Sequence, residues 1–504
     1  MNPKSLIYAS SPAAVRGLFQ RIEASPLGSR LARGAFWSLA GSLISRGLGL
    51  LSAILVGRLL GKEGFGELGI IQNTIGMFGT LAGFGMGLTA NKHVAEFKRT
   101  DPARAGRILG LASATAWVSS GLMGLALIVS APWLAARTLA APHLSGLLQI
   151  GAMLLFLSGI NGAQTGALSG FEAFKAIARI NLISGVLTFP LMVAGAWYWG
   201  VTGAVWGLIG SQLTNCLLCF AAVRGEAARF QIPIRFTGAL AESKLFWSFS
   251  FPAVLSGILS SFVTWTAGAL LVNQLNGYAE MGVYNAVMRI KCVPELLLSI
   301  VMAPLLPVLS EQFGTRATQA YNTTLRYAFG LSVLFVVPFA LFQIAVPSVT
   351  LLPFGKQFSG ESNAVVGWLM LHSAFYGVFF PFSAVLPSMN RTWFAFIYVI
   401  SYSLTLLALS SVLIPRHGAA GFAAATTISY VATSLLCVAY IYRYEKSFVG
   451  EVVLWRSIIA VTASAVVCAL SSHFLNPSAS AALTLILCAG FVLQIVRRVL
   501  QLRR

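Results

Sequence analysis

The chain has 504 residues, of which 57% are hydrophobic and 10% are charged, and its formal net charge is +20. Soluble proteins carry about 25% charged residues, so this composition excludes an ordinary soluble domain and indicates a polytopic membrane protein. The basic residues stand in small groups between apolar stretches, a pattern typical of membrane orientation and contact with anionic lipids, which argues against nucleic-acid binding.

Residues 1–33 form a basic amino-terminal segment. Four of its apolar residues follow the spacing of one helical face, namely Val15, Leu18, Phe19 and Ile22. The segment is therefore predicted to be either a short helix on the membrane surface or a disordered basic tail.

From residue 34 onward, apolar stretches long enough to cross a bilayer predict an all-α protein with about 14 transmembrane helices. The first six are expected at about 34–59, 67–90, 107–131, 144–166, 179–199 and 202–223. The next six are expected at about 246–272, 281–310, 325–347, 363–388, 393–414 and 418–442. The last two are expected at about 455–474 and 480–499.

The chain also contains an internal repeat. At a near-constant offset along the chain, Gly61, Gly66, Gly200 and Gly203 are matched by Gly277, Gly282, Gly418 and Gly421. Because glycines in membrane helices mark helix ends and close contacts, we predict two pseudo-symmetric six-helix lobes followed by two further helices. An even number of spans per lobe inserts both lobes the same way up, with a site between them near the midplane.

The predicted boundaries follow from these spans. They are a basic cytoplasmic segment 1–33, an N-lobe 34–223, a cytoplasmic linker 224–245, a C-lobe 246–443, and a final pair of helices with a basic tail, 444–504. One side of the membrane collects about 26 Lys and Arg residues and the other about 5, which predicts that both termini are cytoplasmic.

The inventory of reactive side chains is small. Asp101 is the only aspartate, the five histidines are scattered, and no phosphate-binding glycine loop is present. All six cysteines lie in apolar spans, so the Cys216–Cys219 pair is interpreted as apolar filling. We therefore expect no enzymatic activity, no catalytic residue, no metal site and no cofactor.

Cations inside the spans are the conspicuous feature. Arg46 lies near the middle of the first predicted span, where an ionised side chain costs about 2.5–3.5 kcal/mol and is a functional candidate by default. Arg289 and Lys291 lie in the eighth. We predict that all three bind an anionic substrate in a water-filled cavity. The alternatives are fixed protein contacts for the arginines and an ion pair between Lys291 and Glu295.

Other polar residues inside spans are either cavity-lining groups or hydrogen-bonding links between helices. The candidates for the cavity are Gln72, Asn73, Asn161, Gln164, Asn285, Glu295 and His372.

Four stretches resemble the polysaccharide-transporter (oligosaccharide flippase) family of the multidrug/oligosaccharidyl-lipid/polysaccharide exporter superfamily. They are SLISRGLGLLSAILVGRLLGKEGFGELGIIQN (42–73), GFGMGLTANKHVAE (83–96), GYAEMGVYNAVMRI (277–290) and APLLPVLSEQF (303–313). The resemblance implies a V-shaped exporter fold in the bacterial inner membrane and alternating-access transport of undecaprenyl-diphosphate-linked oligosaccharides such as O-antigen or exopolysaccharide units. Related lipid II flippases use arginines on the first and eighth spans, which correspond to Arg46 and Arg289.

The expected partners are a lipid-linked glycan, anionic lipids, and the glycan polymerase and glycosyltransferases of the same pathway. A cation-coupled multidrug exporter and a lipid II-type flippase are the alternatives within the superfamily. The drug exporter needs internal acids, and Glu295 is the one acid deep in a span. A membrane glycan polymerase or ligase and a non-transporting scaffold are the alternatives outside it.

Overall fold

The computed structural model describes residues 26–83, 85–234, 251–302, 305–358, 362–389, 391–444, 454–474, 479–488 and 490. All regular secondary structure within these ranges is helical. The predicted amino-terminal segment 1–33 lies mostly outside them, as does much of the predicted linker 224–245.

The amino-terminal half contains five α-helices: α1 Pro26–Gly83, α2 Met86–Phe97, α3 Pro102–Trp133, α4 Ser145–Gly170 and α5 Phe174–Arg229. Gly61 kinks α1 into two limbs, 26–60 and 62–83, and Trp199 and Gly200 kink α5 in the same way. A π-helical turn Leu134–Thr138 and a 3-10 turn Pro142–Leu144 join α3 to α4.

The carboxy-terminal half contains α6 Phe251–Val272, α7 Gly277–Val301, α8 Leu305–Gly314, α9 Thr318–Ala345, α10 Asn363–Phe379 and α11 Thr392–Tyr444, the last kinked at Gly418. Short turns Pro347–Leu351, Leu352–Phe354 and Lys356–Phe358 follow α9, and Phe380–Ala384 and Val385–Ser388 follow α10. The helices α12 Leu454–Phe474 and Ala479–Cys488, which we label α13, come last.

These helices confirm the predicted all-α polytopic class. Eight described segments are long and apolar enough to cross a membrane, and three of them are kinked pairs of spans. When each limb is counted as a span, the helices of the described ranges match the fourteen predicted spans. Two of the predicted spans differ from the helices of the structure. The second span ends at Gly83, and α2 begins separately because Gly85 has φ 64°. The eighth span begins at Gly277 and ends at Val301 rather than covering 281–310.

The kinks show that the repeat in the sequence is a repeat in the backbone. Gly200 has φ 59° and ψ −137°, and its counterpart Gly418 has φ 54° and ψ −130°. Next to each kink a second glycine packs directly on a backbone carbonyl, Gly203 on that of Gly195 and Gly421 on that of Leu413. The same chain path therefore occurs once in each half.

Consecutive spans alternate in direction, which gives the molecule two faces. We call the one that carries Gly61, Gly200, Gly418 and the turn 273–276 the kink face. The opposite one, the basic face, carries exposed Lys92, Arg99, Lys175, Arg229 and Arg391. The cytoplasmic placement of the basic face stays a prediction from the distribution of Lys and Arg.

The two equivalent kinks provide a matched pair of substitutions. Their backbone conformation is one that essentially only glycine adopts, so Gly200→Ala should destabilise the fold by about 1–3 kcal/mol. A Cβ at Gly418 would in addition overlap the carboxylate of Glu280, whereas a Cβ at Gly200 meets open space. Gly418→Ala should therefore lower the thermal unfolding midpoint of the detergent-solubilised protein more than Gly200→Ala. Equal shifts would show that the Glu280 contact contributes nothing.

Candidate functional site

The position of Arg289 follows from the register of α7. Tyr278 lies eleven residues earlier, which is three helical turns, so both residues share one face of the helix at depths about 16 Å apart. The Tyr278 backbone contacts Gly66 on the second limb of α1. Arg289 therefore faces the amino-terminal half, where its exposed guanidinium donates a 2.9 Å hydrogen bond to Oε1 of Gln72.

The position of Arg46 follows from the same argument on the first limb of α1. Gly57 lies eleven residues later on the same face and packs against the ring of Phe354, in the carboxy-terminal half. Arg46 is exposed, and no hydrogen bond or ion pair joins it to another described residue. Arg46 and Arg289 thus each lie about 16 Å along a helix from a residue that contacts the opposite half.

Lys291 lies elsewhere. It is two residues beyond Arg289, or about 200° around the helix, and its side chain is 5% exposed and forms a 3.0 Å ion pair with Glu295. The Nδ1 atom of His372, on α10, lies 4.0 Å from the same Glu295 oxygen. The alternative of an ion pair with Glu295 is therefore observed, and Lys291 lies inside the carboxy-terminal half rather than beside Arg289.

The other cavity candidates fall into two groups. Asn161 donates a 2.9 Å hydrogen bond to Asn215, which donates to Ser184, so it links helices within the amino-terminal half. Gln164 lies on the same helix, α4, with its Oε1 buried and without a hydrogen bond to any described residue.

Gln72, Asn73 and Asn285 lie instead on the two helices that meet between the halves, and Asn285 packs directly on Gly69. The structure therefore gathers Arg46, Arg289, Gln72, Asn73 and Asn285 on helices that face the opposite half, and leaves the remaining candidates within one half or the other.

Near the kink face, hydrogen bonds that the sequence analysis did not predict join the two halves. Arg58 donates from Nε to the carbonyl oxygen of Pro353 at 2.5 Å, and Asn273 donates to that of Thr138 at 2.6 Å. The hydroxyl of Tyr278 donates to the carbonyl oxygen of Leu139 at 2.8 Å. These contacts join the two halves on this side, and in that sense the kink face is closed. A cavity of about 910 Å³ beside them is lined by residues of both halves, among them Gly61 and Glu280.

The backbones themselves meet in a reciprocal contact. A Cβ at Gly66 would overlap the carbonyl oxygen of Tyr278, and a Cβ at Gly282 would overlap that of Lys62. Gly66 and Gly282 are counterparts in the internal repeat, as are Lys62 and Tyr278, so the contact is self-complementary, as at an interface with two-fold symmetry. This glycine repeat was the one signal in the sequence that pointed to the closed region.

Hydrogen bonds continue along the second limb of α1 toward the basic face. Trp265 donates to Thr74 Oγ1 at 2.9 Å, and the hydroxyls of Thr80 and Ser261 lie 2.9 Å apart. We call these two bonds, together with the Gln72–Arg289 bond, the interhelical seam. Among the described residues, no three His, Cys, Asp or Glu side chains come together as metal ligands.

Comparison with known proteins identifies the fold. The lipid II flippase MurJ in an inward closed conformation superimposes with a TM-score of 0.68 at 17% identity, covering 93% of this chain and 100% of that structure. An inward-facing multidrug resistance MATE family transporter of the MOP superfamily gives 0.62 at 14% identity, covering 85% and 98%. The helices therefore have the fold of that superfamily of polytopic membrane proteins.

Sequence comparison gives the family. A model of the polysaccharide biosynthesis protein family matches residues 31–313, so this chain belongs to that family. The succinoglycan biosynthesis transport protein ExoT of Rhizobium meliloti is 24% identical over 360 residues, 70% of this chain and 68% of ExoT. The lipid III flippase of Escherichia coli is 23% identical over 435 residues, 84% of this chain and 99% of that protein. The resemblance drawn from the sequence is confirmed.

The reciprocal glycine contact leads to a prediction. Gly66→Val places a branched side chain against the Tyr278 carbonyl and should separate the two halves at the kink face. Spin labels at the exposed positions Arg137 and Leu275 should report a longer distance in the variant. The control is Gly76→Val on the same limb, where a Cβ meets nothing within 4 Å. An unchanged distance in Gly66→Val would contradict the role assigned to this contact.

Proposed function

We propose that the protein is a flippase that moves a polyprenyl-diphosphate-linked oligosaccharide, of the undecaprenyl type, across the bacterial cytoplasmic membrane. The observation that carries the proposal is the pair Arg46 and Arg289, one from each half, on helices that contact the opposite half near the kink face. Arg46 has no partner among the described residues, and Arg289 has one neutral partner, Gln72.

The chemistry of the substrate explains why two arginines are needed. Moving an unpaired diphosphate through hydrocarbon costs on the order of tens of kcal/mol. Guanidinium groups bind phosphate oxygens through paired, charge-assisted hydrogen bonds and stay charged at any physiological pH. The cleft between the halves would hold the diphosphate and the hydrated sugars, while the prenyl chain stays in the lipid.

The closed kink face supports an alternating-access mechanism. If the kink face lies outside the cytoplasm, as the Lys and Arg distribution predicts, the contacts on that face would hold the halves together on the outer side of the membrane. Substrate would enter from the cytoplasmic leaflet and leave when the reciprocal glycine contact opens. The names of the lipid III flippase and of the succinoglycan transport protein support a lipid-linked glycan as the cargo.

A cation-coupled drug exporter is the main competing proposal. Such a protein needs internal carboxylates to bind cations, and in the described part of the chain Glu295 is already paired with Lys291. The arginines repel cationic drugs. Charge therefore favours an anionic substrate.

A lipid II-type flippase shares the diphosphate chemistry and differs in the sugar. We favour a polysaccharide precursor because the family model and both sequence relatives concern polysaccharide or lipid III pathways. In this proposal the protein is not an enzyme, its termini are cytoplasmic, and it works beside the glycan polymerase and glycosyltransferases of its pathway.

Charge reversal tests the assignment. Arg46→Glu or Arg289→Glu should reduce glycan export at least about tenfold at normal protein level, because each change removes a charge-assisted contact worth about 1.5–3 kcal/mol. Export is measured as surface glycan in a strain that lacks the native gene, with membrane protein quantified in parallel.

The matched control is Arg229→Glu, an exposed arginine on the basic face whose described ion pair, with Glu226, is a weak 3.4 Å contact. This variant should export normally. Full export by the double variant Arg46→Ala/Arg289→Ala would overturn the assignment of the site.

A further inference from the structure

We infer that Gln72 is a latch residue: it holds Arg289 across the two halves until an anionic headgroup displaces it. This inference rests on the proposed function, because it assigns the headgroup to Arg289. It adds a positioning role for Gln72, which the sequence analysis gave only as a candidate cavity-lining residue.

The hydrogen bond between Gln72 and Arg289 has a defined place between the two halves. Gln72 lies eleven residues beyond the Gly61 kink and Arg289 twelve residues beyond Gly277, so both stand about three turns below the kink face on helices that run in parallel. Their 2.9 Å hydrogen bond joins residues 217 positions apart and crosses between the halves. It is therefore part of what keeps the halves together in this state.

This bond differs in charge from the rest of the interhelical seam. The Trp265–Thr74 and Thr80–Ser261 bonds join neutral groups that are both satisfied by protein. The Gln72–Arg289 bond joins a neutral amide oxygen to a full positive charge. Of the three seam bonds, this is the one whose donor is also a ligand for phosphate.

An anionic headgroup competes with Gln72 for the guanidinium of Arg289. A guanidinium has five N–H donors, and the hydrogen bond from Arg289 to Gln72 uses a single one of them. A diphosphate offers several charged oxygens and binds a guanidinium through paired hydrogen bonds, which a single neutral amide oxygen cannot do. A headgroup that takes both edges of Arg289 leaves Gln72 without its partner and removes one of the three seam bonds.

The consequence is a link between binding and opening. Headgroup binding removes one bond that favours the closed kink face, so it shifts the equilibrium toward opening. By reciprocity, any change that breaks the latch in advance must tighten headgroup binding. Replacing a residue that merely supports the fold would not tighten headgroup binding.

The experiment uses the full-length protein in detergent, with farnesyl diphosphate as the probe and calorimetry as the measurement. Gln72→Leu removes the acceptor while keeping the size of the side chain, and should tighten probe binding about three- to tenfold. Gln72→Glu makes an ion pair with Arg289 and should weaken binding about tenfold or more. Labels at Arg137 and Leu275 should show more opening in Gln72→Leu without probe, and less opening in Gln72→Glu with probe.

The matched control is Thr80→Val, which breaks a seam bond that carries no charge and should change probe affinity by less than about twofold. If Thr80→Val tightens binding as much as Gln72→Leu, the effect belongs to the seam in general and the latch is overturned. If Gln72→Leu binds the probe as the wild type does, or more weakly, the latch is also overturned.

Arg289→Ala separates this inference from the proposed function. Loss of probe binding in Arg289→Ala, together with no gain in Gln72→Leu, would remove the latch and leave the substrate site standing. Unchanged probe binding in Arg289→Ala would remove both, because the headgroup would then not be held by Arg289.

Discussion

The reciprocal contact of Gly66 and Gly282 with the carbonyl groups of Tyr278 and Lys62 sets the distance between the two halves. Without side chains at these glycines, the second limb of α1 and the first turns of α7 approach to backbone contact. That approach brings Gln72 within hydrogen-bonding distance of Arg289 and Asn285 against Gly69. The site is therefore a consequence of how closely two glycine-bearing helix ends pack.

The sequence predicted the parts of this arrangement that depend on periodicity. Glycine offsets gave the repeat, and apolar length gave the spans, including the eighth, although α7 carries too many charged residues to pass as an apolar segment. The same helical period separates Arg289 from Lys291, since two positions on a helix point in nearly opposite directions. The helical period therefore argues against placing all three cations in one cavity, as the sequence analysis does.

The contacts that join the two halves near the kink face could not be predicted from the sequence, for a physical reason. The bond from Arg58 to the Pro353 carbonyl joins residues 295 positions apart, and its acceptor is backbone in an irregular turn. Every residue type carries a backbone carbonyl, so the sequence does not indicate which one accepts this hydrogen bond. No local pattern fixes the path of that turn. The internal repeat does not predict the two arginines either, because the counterpart of Arg46 in the repeat is Phe262 and that of Arg289 is Asn73.

The ion pair of Lys291 and Glu295 bears on how α7 enters the bilayer during synthesis. Each charge alone adds about 2.5–3.5 kcal/mol to the insertion of a helix at the membrane centre. Because the two residues are one turn apart on the same helix, they can neutralise each other without a partner on any other span. When Lys291 and Glu295 are paired, Arg289 is the remaining unneutralised charge deep in α7, so the pairing lowers the cost of inserting this helix.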